Sequence, residues 1–190
     1  MKKILLALLA VIVLFAIYVA TRPNTYRIER ASTIAASPAT LYPMIADFHR
    51  WPEWSPFEKL DPQMKRELSG AQSGVGAVYA WAGNKDAGEG RMTITEATPD
   101  QDVTIRLEFL KPIPGSSTAR FALGPAEGGT QVRWIMEGDH NFVSKAMCVF
   151  VSMDKMMGGD FEKGLAQMKT AAEASEAAAP ADTTAAMPKS

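Results

Sequence analysis

The run VTIRLEFL at residues 103–110 alternates apolar and polar residues, and this pattern constrains the fold more than any other. An extended chain puts Val103, Ile105, Leu107 and Phe109 on one side. Period two describes a strand with one buried face and one solvent face. The runs GVGAVYAW, EGRMTITEA, TARFAL and TQVRWIME repeat it, with the turn sequences GNKDAG and GPAEGG between pairs of them. Consecutive strands with such short connections predict an antiparallel meander.

Sequence patterns typical of helices precede and follow this meander. After a strand-like run at 26–34, Ser37 and Pro38 fit the N-cap and the first helical position of a short helix, which Pro43 limits. From Ser144 to about Ala172 the alternation stops, and one helical face recurs at spacings of three and four through Met153, Met157, Phe161, Gly164 or Leu165, and Met168. This spacing predicts a long amphipathic helix, interrupted or bent near Gly158 and Gly159. Together the elements predict an α+β fold.

The two ends of the chain differ from its middle. Residues 1–22 include an uncharged apolar run from Ile4 to Ala20, which suits a transmembrane helix. Cleavage after Ala20 or Ala16 would place a large residue where a signal peptide needs a small one, so an uncleaved anchor is favoured. Positive charge at Lys2 and Lys3 predicts a single-pass protein whose domain lies on the non-cytoplasmic side. Residues 23–25 form a linker, 26–172 the domain, and 173–190 an Ala-rich tail predicted to be disordered.

Composition excludes several classes of function. Lys and Arg number 20 and Asp and Glu 21, so no net positive field favours nucleic acid. Cys148 is the single cysteine, and the two histidines, His49 and His140, lie far apart. This argues against an internal disulfide and against a metal site. No nucleophile elbow, phosphate-binding loop or dinucleotide fingerprint occurs, so no cofactor is predicted.

Four segments carry a resemblance to a known family: AASPATLY at 35–42, DFHRWPEWSPF at 47–57, GEGRM at 88–92 and DFEKGL at 160–165. With the strand at 26–34 they resemble the SRPBCC polyketide cyclase/dehydrase-like proteins of the START and birch-pollen-allergen superfamily, over about residues 26–170. The resemblance implies a helix-grip fold, in which a curved antiparallel sheet of about seven strands wraps the long C-terminal helix and two short helices follow the first strand. It also implies a hydrophobic cavity for lipids, sterols or polyketides, but not one reaction, because the superfamily mixes carriers, sensors and enzymes.

Apolar and aromatic side chains on the inner faces are the predicted cavity residues, although core packing is the favoured explanation for any single one of them. They are Tyr79, Trp81, Met92, Phe109, Phe121, Trp134 and Met136 on the sheet, and Met153, Met157 and Phe161 on the helix. The Pro-broken segment HRWPEWSPFEKLDP supplies a predicted cavity rim of Trp51, Trp54 and Phe57.

Acid–base candidates by residue type are Asp47, His49, Tyr79, Glu89, Arg91 and Glu108. Alternation places Glu89, Arg91 and Glu108 on the solvent face, where they would form cross-strand ion pairs. His49 is then the best candidate for a proton carrier, with a surface position at a helix end as the alternative.

The leading hypothesis is a membrane-anchored protein that binds a lipophilic small molecule without chemistry. The alternatives are a cyclase, dehydratase or hydrolase acting on such a ligand, and an interaction module whose cavity is filled by its own side chains.

Overall fold

The computed structural model describes residues 1–178. Within them, the helices are α1 (Lys2–Ala20), α2 (Pro38–Ala46), α3 (Phe142–Cys148) and α4 (Met153–Ala178). The strands are β1 (Thr25–Ile34), β2 (Lys65–Gly70), β3 (Ala77–Ala82), β4 (Glu89–Thr98), β5 (Asp102–Lys111), β6 (Gly115–Ala126) and β7 (Gly129–Asp139). Two 3₁₀ segments, Phe48–Glu53 and Pro56–Lys59, connect α2 to β2.

All seven strands belong to one curved antiparallel sheet in the order β1-β7-β6-β5-β4-β3-β2. Strands β2 to β7 form a meander, and β1 returns to pair with β7. On β5, Val103 and Ile105 are buried whereas Arg106 is exposed, as the alternation predicts. The long helix α4 lies on the concave side against β1, so the predicted helix-grip fold is confirmed.

The start of α2 also follows the prediction. Ser37 is its N-cap, and the Ser37 hydroxyl accepts the Thr40 N–H at 3.3 Å. Pro38 occupies the first turn, where a missing N–H costs nothing. Pro43 lies inside the helix, which is only nine residues long. This short helix leads the chain directly into the 3₁₀ segment at Phe48–Glu53.

The predicted C-terminal helix needed two corrections. The helix is interrupted at residues 149–152, between α3 and α4. There the Ser152 hydroxyl caps the new helix by accepting the Lys155 N–H at 3.3 Å. The helix is unbroken at Gly158, where a Cβ atom would lie 2.1 Å from Nη2 of Arg30. Glycine there admits the guanidinium, which bonds Asp154 at 2.8 Å and Glu162 at 2.7 Å.

The boundary of the predicted tail also moves. Residues 173–178 continue α4, where Glu173 accepts the Ala35 N–H at 3.0 Å and Glu176 accepts the Thr40 hydroxyl. These two carboxylates tie the end of α4 to the start of α2. The sequence suggested no fixed structure here because these residues lack large apolar side chains. Residues 179–190 of the predicted tail lie outside the described residues.

A close approach of α4 to the sheet gives a matched pair of glycine substitutions. A Cβ atom at Gly164 would lie 2.8 Å from Cζ3 of Trp134 and 3.0 Å from Cδ of Pro56, whereas Gly159 has nothing within 4 Å. We expect Gly164→Ala to lower the free energy of unfolding by about 1–2 kcal/mol through overpacking. Gly159→Ala should raise it by about 0.5–1 kcal/mol through helix propensity. Urea unfolding of the two variants in detergent, followed by Trp fluorescence, checks this; equal effects would contradict the close packing.

In the part of the chain that the structure describes, the N-terminal helix α1 contributes no residue to the hydrophobic core of the domain. It is long and apolar enough to cross a membrane, properties that an anchor shares with a signal sequence. The structure describes α1 completely, and Val19 is its one buried residue. Large apolar side chains such as Ile4 and Leu5 are therefore exposed along it. Such a surface is costly in water and favourable in a bilayer.

Candidate functional site

A cavity of about 330 Å³ lies between the sheet and the first turns of α4. Its size falls at the small end of the range of ligand pockets, about 300–1,000 Å³. The cavity is lined by Trp51, Ser55, Phe57, Glu58, Leu60, Met64, Tyr79, Trp81, Asp86, Ala87, Met92, Ile105, Leu107, Phe109, Ala119, Trp134, Met136, Met157, Asp160 and Phe161. Most of these side chains are apolar, so the space suits an apolar ligand.

The burial of the lining residues shows which end of the cavity is open. Leu60 and Asp86 are exposed, and they mark the mouth, between the second 3₁₀ segment and the β3–β4 hairpin. Ala119, Trp134 and Phe161 are buried and form the deep end. There the Trp134 and Phe161 rings stack with centroids 4.1 Å apart. This stack joins the sheet to α4 and closes the deep end.

Eight of the ten predicted cavity residues line this space: Tyr79, Trp81, Met92, Phe109, Trp134, Met136, Met157 and Phe161. Phe121 and Met153 do not line it. Phe121 is fully buried among aromatic rings, and Met153 packs on the edge of the core. Period two identifies the face of a strand that is buried, but it does not say where along that face the core ends and the cavity begins.

The predicted rim is largely core. Trp51 and Trp54 are 4% and 0% exposed, and their indole N–H groups donate to carbonyls of α2, Ile45 at 3.0 Å and Met44 at 2.8 Å. Trp54 does not line the cavity, and Trp51 lines it from a buried position. Phe57 is half-buried and lines it as well. The Trp/Pro segment therefore stabilises the fold, because the N–H groups of its two indoles are hydrogen-bonded to α2.

A polar cluster centred on the buried side chain of Glu58 lies in the cavity wall. The Tyr79 hydroxyl donates to Oε1 of Glu58 at 2.6 Å, and Nε of Arg66 donates to Oε2 at 2.7 Å. Only 7% of the Glu58 side chain is exposed. Arg66 also donates to the Glu58 carbonyl at 2.9 Å, which fixes the 3₁₀ segment against β2. The carboxylate thus has both a positive partner and a phenol donor.

Sequence reasoning named Tyr79 but missed Glu58 and Arg66. Glu58 lies in a 3₁₀ segment, which has no periodicity to show which side chains point inward, and Arg66 lies on the edge strand β2, where every residue is exposed. The available signal was the placement of an acidic residue directly after the aromatic Pro-rich segment.

Burial, helped by the hydrogen bond to the charged Glu58, raises the pKa of Tyr79 well above its ordinary value of about 10. The folded chain therefore keeps this proton at a pH where the unfolded chain releases it. Stability contributed by Tyr79 is present below pH 10 or so and is lost as the pH rises further. We expect the alkaline loss of stability between about pH 9.5 and 11 to be shallower in Tyr79→Phe. Urea unfolding across this range, with Tyr18→Phe as control, measures it; parallel curves for all three chains would contradict the assignment.

Two polar atoms of the lining residues lack a hydrogen-bond partner among the described residues. They are Oγ of Ser55 and Nε1 of Trp134. The two residues are 1% and 3% exposed. By contrast, the indole N–H of Trp81, at the other end of the cavity, donates to the Ala87 carbonyl at 3.0 Å.

His49 lies outside the cavity. Its side chain is 55% exposed, and Nδ1 lies 2.7 Å from Oδ1 of Asp47, the N-cap of the first 3₁₀ segment. The pair is therefore a surface cap, and the structure does not bring His49 to the predicted ligand residues. Arg91 bonds Glu108 at 2.6 Å, and Lys111 bonds Glu89 at 2.6 Å, as expected for cross-strand pairs on the solvent face. Within residues 1–178, no group of three or more His, Cys, Asp or Glu side chains could hold a metal ion.

Solved structures share this architecture at low sequence identity. The chain is similar to protein CV1439 from Chromobacterium violaceum, at 17% identity and a TM-score of 0.54, over 80% of this chain and 99% of that one. It is similar to Ara h 8.0201, at 14% identity and a TM-score of 0.52, over 82% and 99%. The di-domain ARO/CYC StfQ from the steffimycin biosynthetic pathway matches at 11% identity and a TM-score of 0.56, over 81% of this chain and 51% of StfQ. These likenesses show the fold alone.

No curated protein is significantly similar to the chain. The family model described as "Polyketide cyclase / dehydrase and lipid transport" matches residues 25–173, from the start of β1 into the last turns of α4. That range contains the whole sheet and every residue that lines the cavity. The chain therefore belongs to the polyketide cyclase/dehydrase and lipid transport family.

Proposed function

We propose that this protein is anchored in a membrane by α1 and binds one lipophilic small molecule in the cavity between the sheet and α4. The observation that carries the proposal is an apolar cavity of about 330 Å³ inside an otherwise packed core. Packed interiors leave few voids larger than a water molecule. The family description, which includes both polyketide chemistry and lipid transport, supports a ligand of this kind.

The anchoring part rests on the exposed apolar surface of α1. Its 19 residues span about 28 Å, close to the thickness of the hydrocarbon core of a bilayer. Arg22 follows the helix, and its guanidinium lies 5.3 Å from the centroid of the Tyr18 ring. Aromatic and basic residues at a helix end are typical of the membrane interface. With Lys2 and Lys3 inside, the domain would lie on the non-cytoplasmic side.

Energy transfer from tryptophan to anthracene tests ligand binding in lipid nanodiscs. All four tryptophans, Trp51, Trp54, Trp81 and Trp134, lie in the domain, and three of them line the cavity. Anthracene that merely dissolves in the bilayer should give transfer that rises with probe concentration without saturating. We expect saturable transfer at one probe per chain. Transfer that rises linearly with probe and never saturates would contradict binding.

An enzyme acting on such a ligand is the second candidate, and the Glu58, Tyr79 and Arg66 cluster is what favours it. A buried carboxylate hydrogen-bonded to a phenol in a cavity wall can pass a proton to or from a bound molecule. His49 is not part of this route, because it lies outside the cavity. If chemistry occurs, Tyr79→Phe should abolish turnover while a bound probe is retained, and His49→Ala should leave turnover unchanged.

A further inference from the structure

We infer that the segment from α3 to α4 inserts into the bilayer surface beside α1, an inference that rests on the proposed anchoring by α1. Its large apolar side chains are exposed: Phe142 at 55%, Val143 at 54%, Met147 at 45%, Phe150 at 78% and Val151 at 43%. Soluble surfaces rarely expose such a contiguous patch.

The contacts of this patch with α1 indicate that its partner is the membrane. Phe150 stacks on Phe15 of α1 with ring centroids 6.2 Å apart, and Lys145 bonds Asn24, just after α1. Phe15 lies five residues before the helix end at Ala20, or about 7.5 Å along the helix. If α1 spans a bilayer, Phe150 lies at that depth, which matches the 5–10 Å reached by interfacial amphipathic helices.

Depth-dependent quenching by brominated lipids tests this insertion in nanodiscs holding the full chain. Cys148→Ser removes the native thiol, and a bimane label is then placed at Phe150→Cys, Phe15→Cys or Glu127→Cys. Glu127 is exposed on the β6–β7 turn, at the opposite end of β7 from α3. We expect several-fold quenching at 150 and 15 and none at 127. Quenching at 15 alone would refute insertion and keep the anchor; quenching at neither would refute the anchor as well.

Discussion

Ala119→Phe should weaken the binding of lipophilic molecules to this protein by at least about tenfold. Ala119 is 4% exposed on β6 and lines the deep end of the cavity. Its neighbours in register are Ile105 on β5 and Met136 on β7, which also line the space. A phenyl ring there would project into the free space of about 330 Å³ that these strands enclose with α4. The measurement is tryptophan-to-anthracene energy transfer in nanodiscs.

Thr118→Phe is the matched control. Thr118 precedes Ala119 on the same strand but points to the solvent face, where it is exposed. We expect its affinity to equal that of the wild-type chain. A chain that still binds with Ala119→Phe, and unfolds at the same urea concentration as the wild type, would show that the ligand does not occupy this cavity.

Trp54→Ala should produce the largest loss of stability, about 3–5 kcal/mol. Trp54 is fully buried, and its ring contacts those of Trp51, Phe121 and Trp134 at centroid distances of 5.0, 5.8 and 5.6 Å. Alanine leaves a large void among rigid rings, and it also leaves the Met44 carbonyl without its donor. Urea unfolding in detergent, monitored by circular dichroism, gives the value.

Trp54→Phe separates packing from the hydrogen bond. Phenylalanine keeps most of the ring contacts and loses the N–H, so we expect a smaller loss, about 1–3 kcal/mol. A loss below about 1 kcal/mol for Trp54→Ala would contradict the view that the Trp/Pro segment holds the fold together.

The predictable parts of the fold follow from repeating or local sequence patterns. Alternation in β5, β6 and β7 shows which face of each strand is buried, because a strand has only two faces. Ser37 and Pro38 mark the start of α2 because capping is a local interaction that needs no knowledge of the rest of the chain.

The parts that were not predictable depend on long-range packing. Phe121 and Trp134 face the same way on paired strands, yet only Trp134 reaches the cavity, because Trp51 and Trp54 cover Phe121. Glu58 could not be assigned to the wall, since its position depends on bonds from Arg66 and Tyr79 on β2 and β3.

The correction at α4 has the same origin. Gly158 and Gly159 suggest a weak point in a helix, since glycine is a poor helix former. In the fold, Gly158 gives room to Arg30 of β1, and the ion pairs of Arg30 with Asp154 and Glu162 bridge that position. The break falls instead at residues 149–152, next to α1, where Phe150 meets Phe15.

Native mass spectrometry of the intact chain, released directly from the membrane in which it was produced, tests the central claim most directly. The account predicts one bound lipophilic small molecule per chain in the wild type and in Thr118→Phe, and its loss in Ala119→Phe. An unliganded wild-type chain, or the same bound molecule in all three chains, would contradict it.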